Sequence, residues 1–282
     1  MRDAMRAFWG RYAAQWVALL IALIYLALIL VILPPQSFFS ADSGMKYLQI
    51  LNLAHNPPSI AIAFPGSRLT DDARFQPWPG YVLRRDGSYY SVFSLPYAAL
   101  CALLYRVFGV YGPYLLSAAS AFGVALITFH IGRTLWDRMP VPDLLVAVAM
   151  GTPLFFYGVE LWEHALGTLL SVASICLIWG TVRRASRQDA GSTALLWAGL
   201  LAAVGAWMRS EIYMLILAEG AALTLCVAAA GRRQALLRYA AGALAGLLPL
   251  WMFNAVLYGN PIGPHIMISL NMGIQTTVSW QE

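Results

Sequence analysis

LPYAALCALLYRVF, residues 95–108, is the stretch on whose reading the topology of this chain turns. Its fourteen residues are too few to cross about 30 Å of hydrocarbon at about 1.5 Å per residue. It opens with a proline in its first turn and ends on Tyr105 and Arg106, so it reads as a helix lying in the membrane interface. The flanking charge tests that reading. Longer apolar runs occupy 15–33 and about 111–132, 141–158, 164–182, 194–208, 212–230 and 239–257. With 95–108 on the surface and the N-terminal Arg2, Arg6 and Arg11 in the cytoplasm, the inside segments also collect Arg133 and Arg138, then Arg183, Arg184 and Arg187, then Arg232, Arg233 and Arg238. Counting 95–108 as a span would put the last two clusters outside.

The expectation is an all-α, polytopic transmembrane helical bundle of about seven spans, N-terminus cytoplasmic and C-terminus outside. It forms one membrane-embedded module over 1–282: an uncleaved anchor (1–33), a long extracytoplasmic loop with short interfacial helices (34–110), six further spans (111–258) and an extracytoplasmic tail (259–282). Composition agrees, because 60% hydrophobic and 11% charged residues with a mean hydropathy of +0.66 cannot be solvated as a globule. The net charge of +5 follows from the arginines at the span ends and forms no patch suited to nucleic acid. Cys101, Cys176 and Cys226 make neither a disulfide framework nor a zinc spacing. No GxxxxGKS, GxGxxG, HExxH or GxSxG occurs, so nucleotide hydrolysis, dinucleotide redox chemistry and the common hydrolases have no foothold.

The long loop reads as a short helix over 43–55, a proline-rich stretch, a hairpin around Asp86-Gly87 (YVLRRDGSYY, 81–90) and the interfacial helix. Its many aromatic rings suit either the headgroup belt or stacking against a sugar. Four outside acids lie near the membrane: Asp42, Glu160, Glu163 and Glu211. Asp42 precedes an amphipathic stretch with Met45, Leu48 and Leu51 on one side, so it is either a helix N-cap or a general base held at the bilayer surface. A helical turn through Glu160, Glu163 and His164 would put all three on one face, able to bind a divalent cation or a sugar hydroxyl; the plainer alternative is a solvated helix start. Arg209 and Glu211 break the apolar stretch 194–230 as a charged turn, where Arg209 would meet a lipid phosphate through charge-assisted hydrogen bonds. Lys46, Arg84, Arg85 and Arg106 compete for that role. Glu219 falls well inside a span, as a functional acid or a neutral helix-pairing one.

The order of these pieces resembles the GT-C superfamily of polyprenyl-phosphate-sugar-dependent membrane glycosyltransferases, in particular the bacterial branch of protein mannosyltransferases and aminoarabinose transferases. FSADSG (39–44) looks like its first-loop acid, and SVFSLPY (91–97) leads into an interfacial helix as it does there. TPLFFYGVELWEHALGTLL (152–170) is similar to the family's segment between the third and fourth spans. GAWMRSEIYMLIL (205–217) looks like its G-x-x-x-R-x-E motif, and NAVLYGNPIGPH (254–265) like its N-x-x-x-(Y/F)-G-x-P turn. The resemblance implies an inverting transferase of a bacterial inner membrane, with Asp42 as base and Glu160 or Glu163 supporting the acceptor or a cation. Its partners would be a polyprenyl-phosphate-linked sugar, a lipid, glycan or protein acceptor, and membrane lipids. Family members are usually longer, so the chain is also expected to be a piece of such an enzyme. The alternatives are a transporter or lipid flippase using Glu219, and a non-catalytic subunit or remnant.

Overall fold

A run of apolar residues without proline or glycine keeps its backbone hydrogen bonds inside a helix, because lipid offers no other partner. The first run does so. In the computed structural model, which describes residues 2–33, 38–55, 60–62, 81–85, 88–135, 141–184, 193–264 and 266, α1 (Arg2–Ala27) continues as a π-helical turn, Leu28–Ile32. The Leu33 N–H closes that turn by donating to the Leu28 carbonyl at 2.8 Å. There follow α2 (Ala41–His55), a hairpin of β1 (Val82–Arg85) and β2 (Ser88–Ser91), and α3 (Leu95–Phe108), on the bounds expected for the interfacial helix. Then come α4 (Tyr111–Leu135), α5 (Val141–Met150), α6 (Pro153–Val159), α7 (His164–Arg184), α8 (Ala194–Met208), α9 (Ile212–Cys226) and α10 (Ala229–Tyr258).

The hairpin forms as expected, antiparallel, with Val82 opposite Ser91 and Arg85 opposite Ser88; its turn residues lie outside the described ones. The seven crossings do not all appear as full-length helices. Among the described residues four helices are long and apolar enough to cross a membrane: Tyr12–Ile32, Tyr111–Leu135, His164–Arg183 and Ala229–Tyr258. A fifth is reached if α5 and α6 count as one span bent by 63°. The bend has a local cause. Pro153 has no N–H to continue α5, and the Thr152 hydroxyl donates to Val148 O at 2.8 Å while accepting from Leu154 N–H at 3.2 Å, so it ends one helix and starts the next. α8 and α9 have fifteen residues each, about 22 Å of helix, short of the hydrocarbon thickness.

Two packing regions hold the helix ends in place. Around α1, α3, α4 and α6 the core is built from Ile21, Tyr25, Tyr97, Ala121 and Leu161, with the Tyr25 hydroxyl donating to Ala149 O at 2.8 Å. Between α8 and α10 the contact is made of small residues. A side chain at Gly242 would run into the Leu196 carbonyl and one at Gly199 into that of Tyr239, so the two backbones touch. Gly242 and Gly246 are one turn apart, the small-xxx-small spacing that lets membrane helices approach closely. Trp207 of α8 donates its indole N–H to Gly246 O at 2.9 Å, and its carbonyl accepts from Ser94 Oγ at 2.6 Å, tying the start of α3 to this pair. At the far end of α4, Arg183 of α7 donates to Thr134 O at 3.0 Å, so the arginine-bearing ends of α4 and α7 lie together.

Candidate active site at one end of the bundle

α2 starts at a serine cap. Ser40 Oγ accepts from the Ser43 N–H at 3.3 Å and from the Trp162 indole at 3.2 Å. The N-cap alternative for Asp42 is therefore not realised. Its carboxylate lies in the first turn, part-exposed, and is met by the Tyr81 hydroxyl. Burial first, then the charge and hydrogen bond of Asp42, raise the Tyr81 phenol above its ordinary value of 10.0, so it stays a neutral donor.

The face that α2 buries carries polar side chains beside the core residue Ile50. Ser43, Lys46, Gln49 and Ile50 are each 0–1% exposed, whereas Met45, Leu48 and Leu51 keep part of their surface outside. A helix lying against lipid can leave its apolar side outward and turn its polar side toward other polar groups, the inverse of the pattern in water. Those groups come from the α6–α7 junction. Lys46 Nζ lies 2.6 Å from Glu163 Oε2, with the Phe93 and Trp162 rings 4.7 and 5.9 Å away. Glu163 Oε1 in turn faces Arg209 NH1 at 3.6 Å. Arg209, the C-cap of α8, also grips Glu211, donating from Nε to Oε2 at 3.1 Å and pairing NH2 with Oε1. The ionic chain Lys46–Glu163–Arg209–Glu211 thus links α2, the start of α7 and the α8–α9 turn.

Several expectations are corrected here. Glu160, Glu163 and His164 do not share a helical turn. Glu160 caps α6 with extended backbone (φ −111°, ψ 157°), Leu161 is fully buried, and α7 starts only at His164. Nor are the acids solvated, since Glu160 is 1% and Glu163 4% exposed. Lys46 is enclosed and paired with Glu163, so it is not a surface cation awaiting phosphate. Arg106 is also occupied, donating to the Leu53 and Ala54 carbonyls at 3.2 and 3.1 Å and so capping the last turn of α2. Arg84 and Arg85 have backbones in β1, and their side chains lie outside the described residues. Among the described residues no three acids, histidines or cysteines converge as a metal site.

Glu160 accepts hydrogen bonds from Ser43 and from the Leu161 N–H, but its Oε1 has no partner among the described residues. Burial outweighs those bonds and the nearby Lys46, holding its carboxyl above the ordinary 4.5. A raised acid favours the folded state in its neutral form. That contribution is complete below 4.5 and is lost as pH rises through the elevated value. Glu160→Gln is therefore expected to match the parent in acid and to unfold at a higher temperature above neutral pH. Thermal scans in detergent across that range would refute the assignment if the two proteins kept a constant difference.

The open position in the chain is Arg209. Its side chain is 24% exposed, and it lines an open cleft between the starts of α3 and α9 and the end of α10. The lining also includes Glu163, Ser210, Glu211 and Asn254, with Leu250, Phe253 and Ile262 supplying apolar surface. Asn254 is itself held, donating to Pro261 O at 3.1 Å, against Gly263 at φ +96°; a Cβ there would come 3.0 Å from Asn254 Nδ2. His164 stacks with Tyr157 and Trp162 at ring distances of 4.6 and 5.0 Å, beside rather than in the cleft. Glu219 is likewise not among the cleft's lining residues. Ser40 and Asn254 were within reach of sequence reading, as a serine three residues before Ser43 and as the head of the N-x-x-x-Y-G motif. The burial of Lys46 was not, since nothing local marks an inward-facing polar side. Comparison with protein-family models, with curated proteins and with solved structures finds no match to this chain.

Proposed function

We propose that the chain is a membrane glycosyltransferase that moves a sugar from a polyprenyl phosphate to an acceptor hydroxyl at the extracytoplasmic face of a bacterial inner membrane. In this reading α8 and α9 complete a seven-pass topology, with the N-terminus in the cytoplasm. One observation carries it: Arg209, part-exposed in the cleft and held there by Glu211, is wired through Glu163 to Lys46 on α2, four residues from Asp42. A cation for a departing phosphate and a base for an incoming hydroxyl thereby belong to one framework at one end of the bundle.

The chemistry rests on that pairing. Asp42 takes the proton of the acceptor hydroxyl as its oxygen attacks the anomeric carbon. The bond from that carbon to the phosphate oxygen breaks, and its electron pair leaves with the phosphate. Attack opposite to departure inverts the anomeric centre. Arg209 stabilises the charge gathering on the phosphate. Phe253 and the outward Met252 and Val256 offer the prenyl chain a path along α10.

The test is transfer from synthetic polyprenyl-phosphate sugars by the full chain in liposomes. Arg209→Met should lower the rate by roughly 10²–10³, the loss typical of one transition-state donor, with the donor's apparent affinity changed less. An unchanged Arg209→Met rate, or no transfer from any lipid-phosphate sugar, would overturn the reading.

A further inference from the structure

Glu219 sits in α9, a helix that buries only Ile212, Glu219 and Leu223 among its residues, while Met214, Leu217 and Leu225 face outward and Gly220 meets open space. The carboxyl is thus one of three points fastening α9 to the bundle. Its Oε2 lies 2.7 Å from the Tyr239 hydroxyl of α10 and 2.9 Å from Ser174 Oγ of α7. Its Oε1 is buried and has no partner among the described residues, and no lysine, arginine or histidine there pairs with it.

The hydrogen-bond geometry accommodates a protonated acid, with Ser174 giving its one hydrogen to another oxygen. Ser174 has one hydroxyl hydrogen and two oxygen neighbours at 2.9 Å, Glu219 Oε2 and the Ala198 carbonyl of α8. A carbonyl can only accept. If Ser174 donates to Ala198, the contact with Glu219 needs a hydrogen from the acid. Tyr239 also has two acceptors, Glu219 Oε2 at 2.7 Å and the Ile216 carbonyl at 3.2 Å, and donates to the nearer, so every hydrogen in the group has an acceptor. An ionised Glu219 would instead spread its charge over the buried Oε1, which has no hydrogen-bond partner among the described residues.

We propose that Glu219 binds a proton within the membrane and, as a neutral carboxylic acid, is the pin that joins α9 to α7, α8 and α10. The relay runs Tyr239 to Glu219, Glu219 to Ser174, and Ser174 to the Ala198 carbonyl. Tyr239 is the titratable group among these partners; Ser174 and the carbonyl bring no charge. The proposal does not depend on the transferase reading, because the pin lies outside the cleft.

Infrared spectra of the full chain in liposomes equilibrated with D₂O test it, taking the wild type minus Glu219→Gln difference at neutral pH. A carbonyl stretch of a protonated carboxylic acid that disappears in the variant is the expected result. A difference confined to carboxylate bands overturns the proposal. Thermal unfolding supplies an independent arm: Glu219→Gln, which keeps one donor and one acceptor, should leave the midpoint unmoved, while Glu219→Ala lowers it. Equal losses in both variants would also overturn it.

Discussion

Asp42→Asn is expected to leave the protein folded and to slow sugar transfer by a factor of about 10²–10⁴, the range for loss of a general base. The fold is spared because Asp42 is not the cap of α2; Ser40 is, and it also holds the Trp162 indole. An asparagine oxygen still accepts from the Tyr81 hydroxyl that meets Asp42. What the amide cannot do is take a proton. Thermal scans and size-exclusion profiles should therefore coincide with the parent while transfer collapses. Replacing Ser40 by alanine gives the opposite pattern, costing about 1 kcal/mol of helix stability with the base left in place. Full transfer by Asp42→Asn would remove this residue from the mechanism and return the search for a base to Glu160.

The parts of the fold legible in sequence were those set by local chemistry. Leu95–Phe108 was legible because Pro96 sits in the first turn of a helix that the Ser94 hydroxyl caps, and because its fourteen residues cannot span. The hairpin was legible through its Asp86-Gly87 turn. The bend between α5 and α6 was written as Gly151-Thr152-Pro153, yet a count of apolar residues runs through it, so the run 141–158 read as one crossing. The close α8–α10 contact was also written, as Gly242 and Gly246 one turn apart. Glu160 and Glu163 show the limit. Their spacing fits a helical face, but Glu160 adopts extended backbone at the end of α6 and Leu161 beside it is fully buried, an arrangement that no local pattern marks. Lys46 is the same lesson for a cation: its surroundings come from residues 47 and 117 positions away, Phe93 and Glu163, and no window along the chain contains them.

Glu163→Gln is expected to be the most destabilising single change at this end of the bundle. Lys46 is 1% exposed, and removing its ion-pair carboxylate leaves a buried ammonium with Glu160 as the carboxylate still near it; breaking one partner of such a pair costs about 3–5 kcal/mol. The Phe93 and Trp162 rings offset only part of this, roughly 0.5–2 kcal/mol for a cation over an aromatic face. Two further variants separate charge from shape. Lys46→Met with Glu163→Gln removes the stranded charge and should recover most of the loss, since apolar replacement of a buried pair is often neutral. Glu160→Gln should change sign with its background. Alone it relieves a buried acid above neutral pH. In Glu163→Gln it removes the remaining carboxylate near Lys46, and so it should destabilise. Unfolding in mixed detergent micelles, titrated with a denaturing detergent, reads all four proteins on one scale. If Glu160→Gln had the same sign in both backgrounds, the two acids would not share Lys46 as their counter-charge, and the coupling of α2 to the α6–α7 junction would have to rest on packing alone.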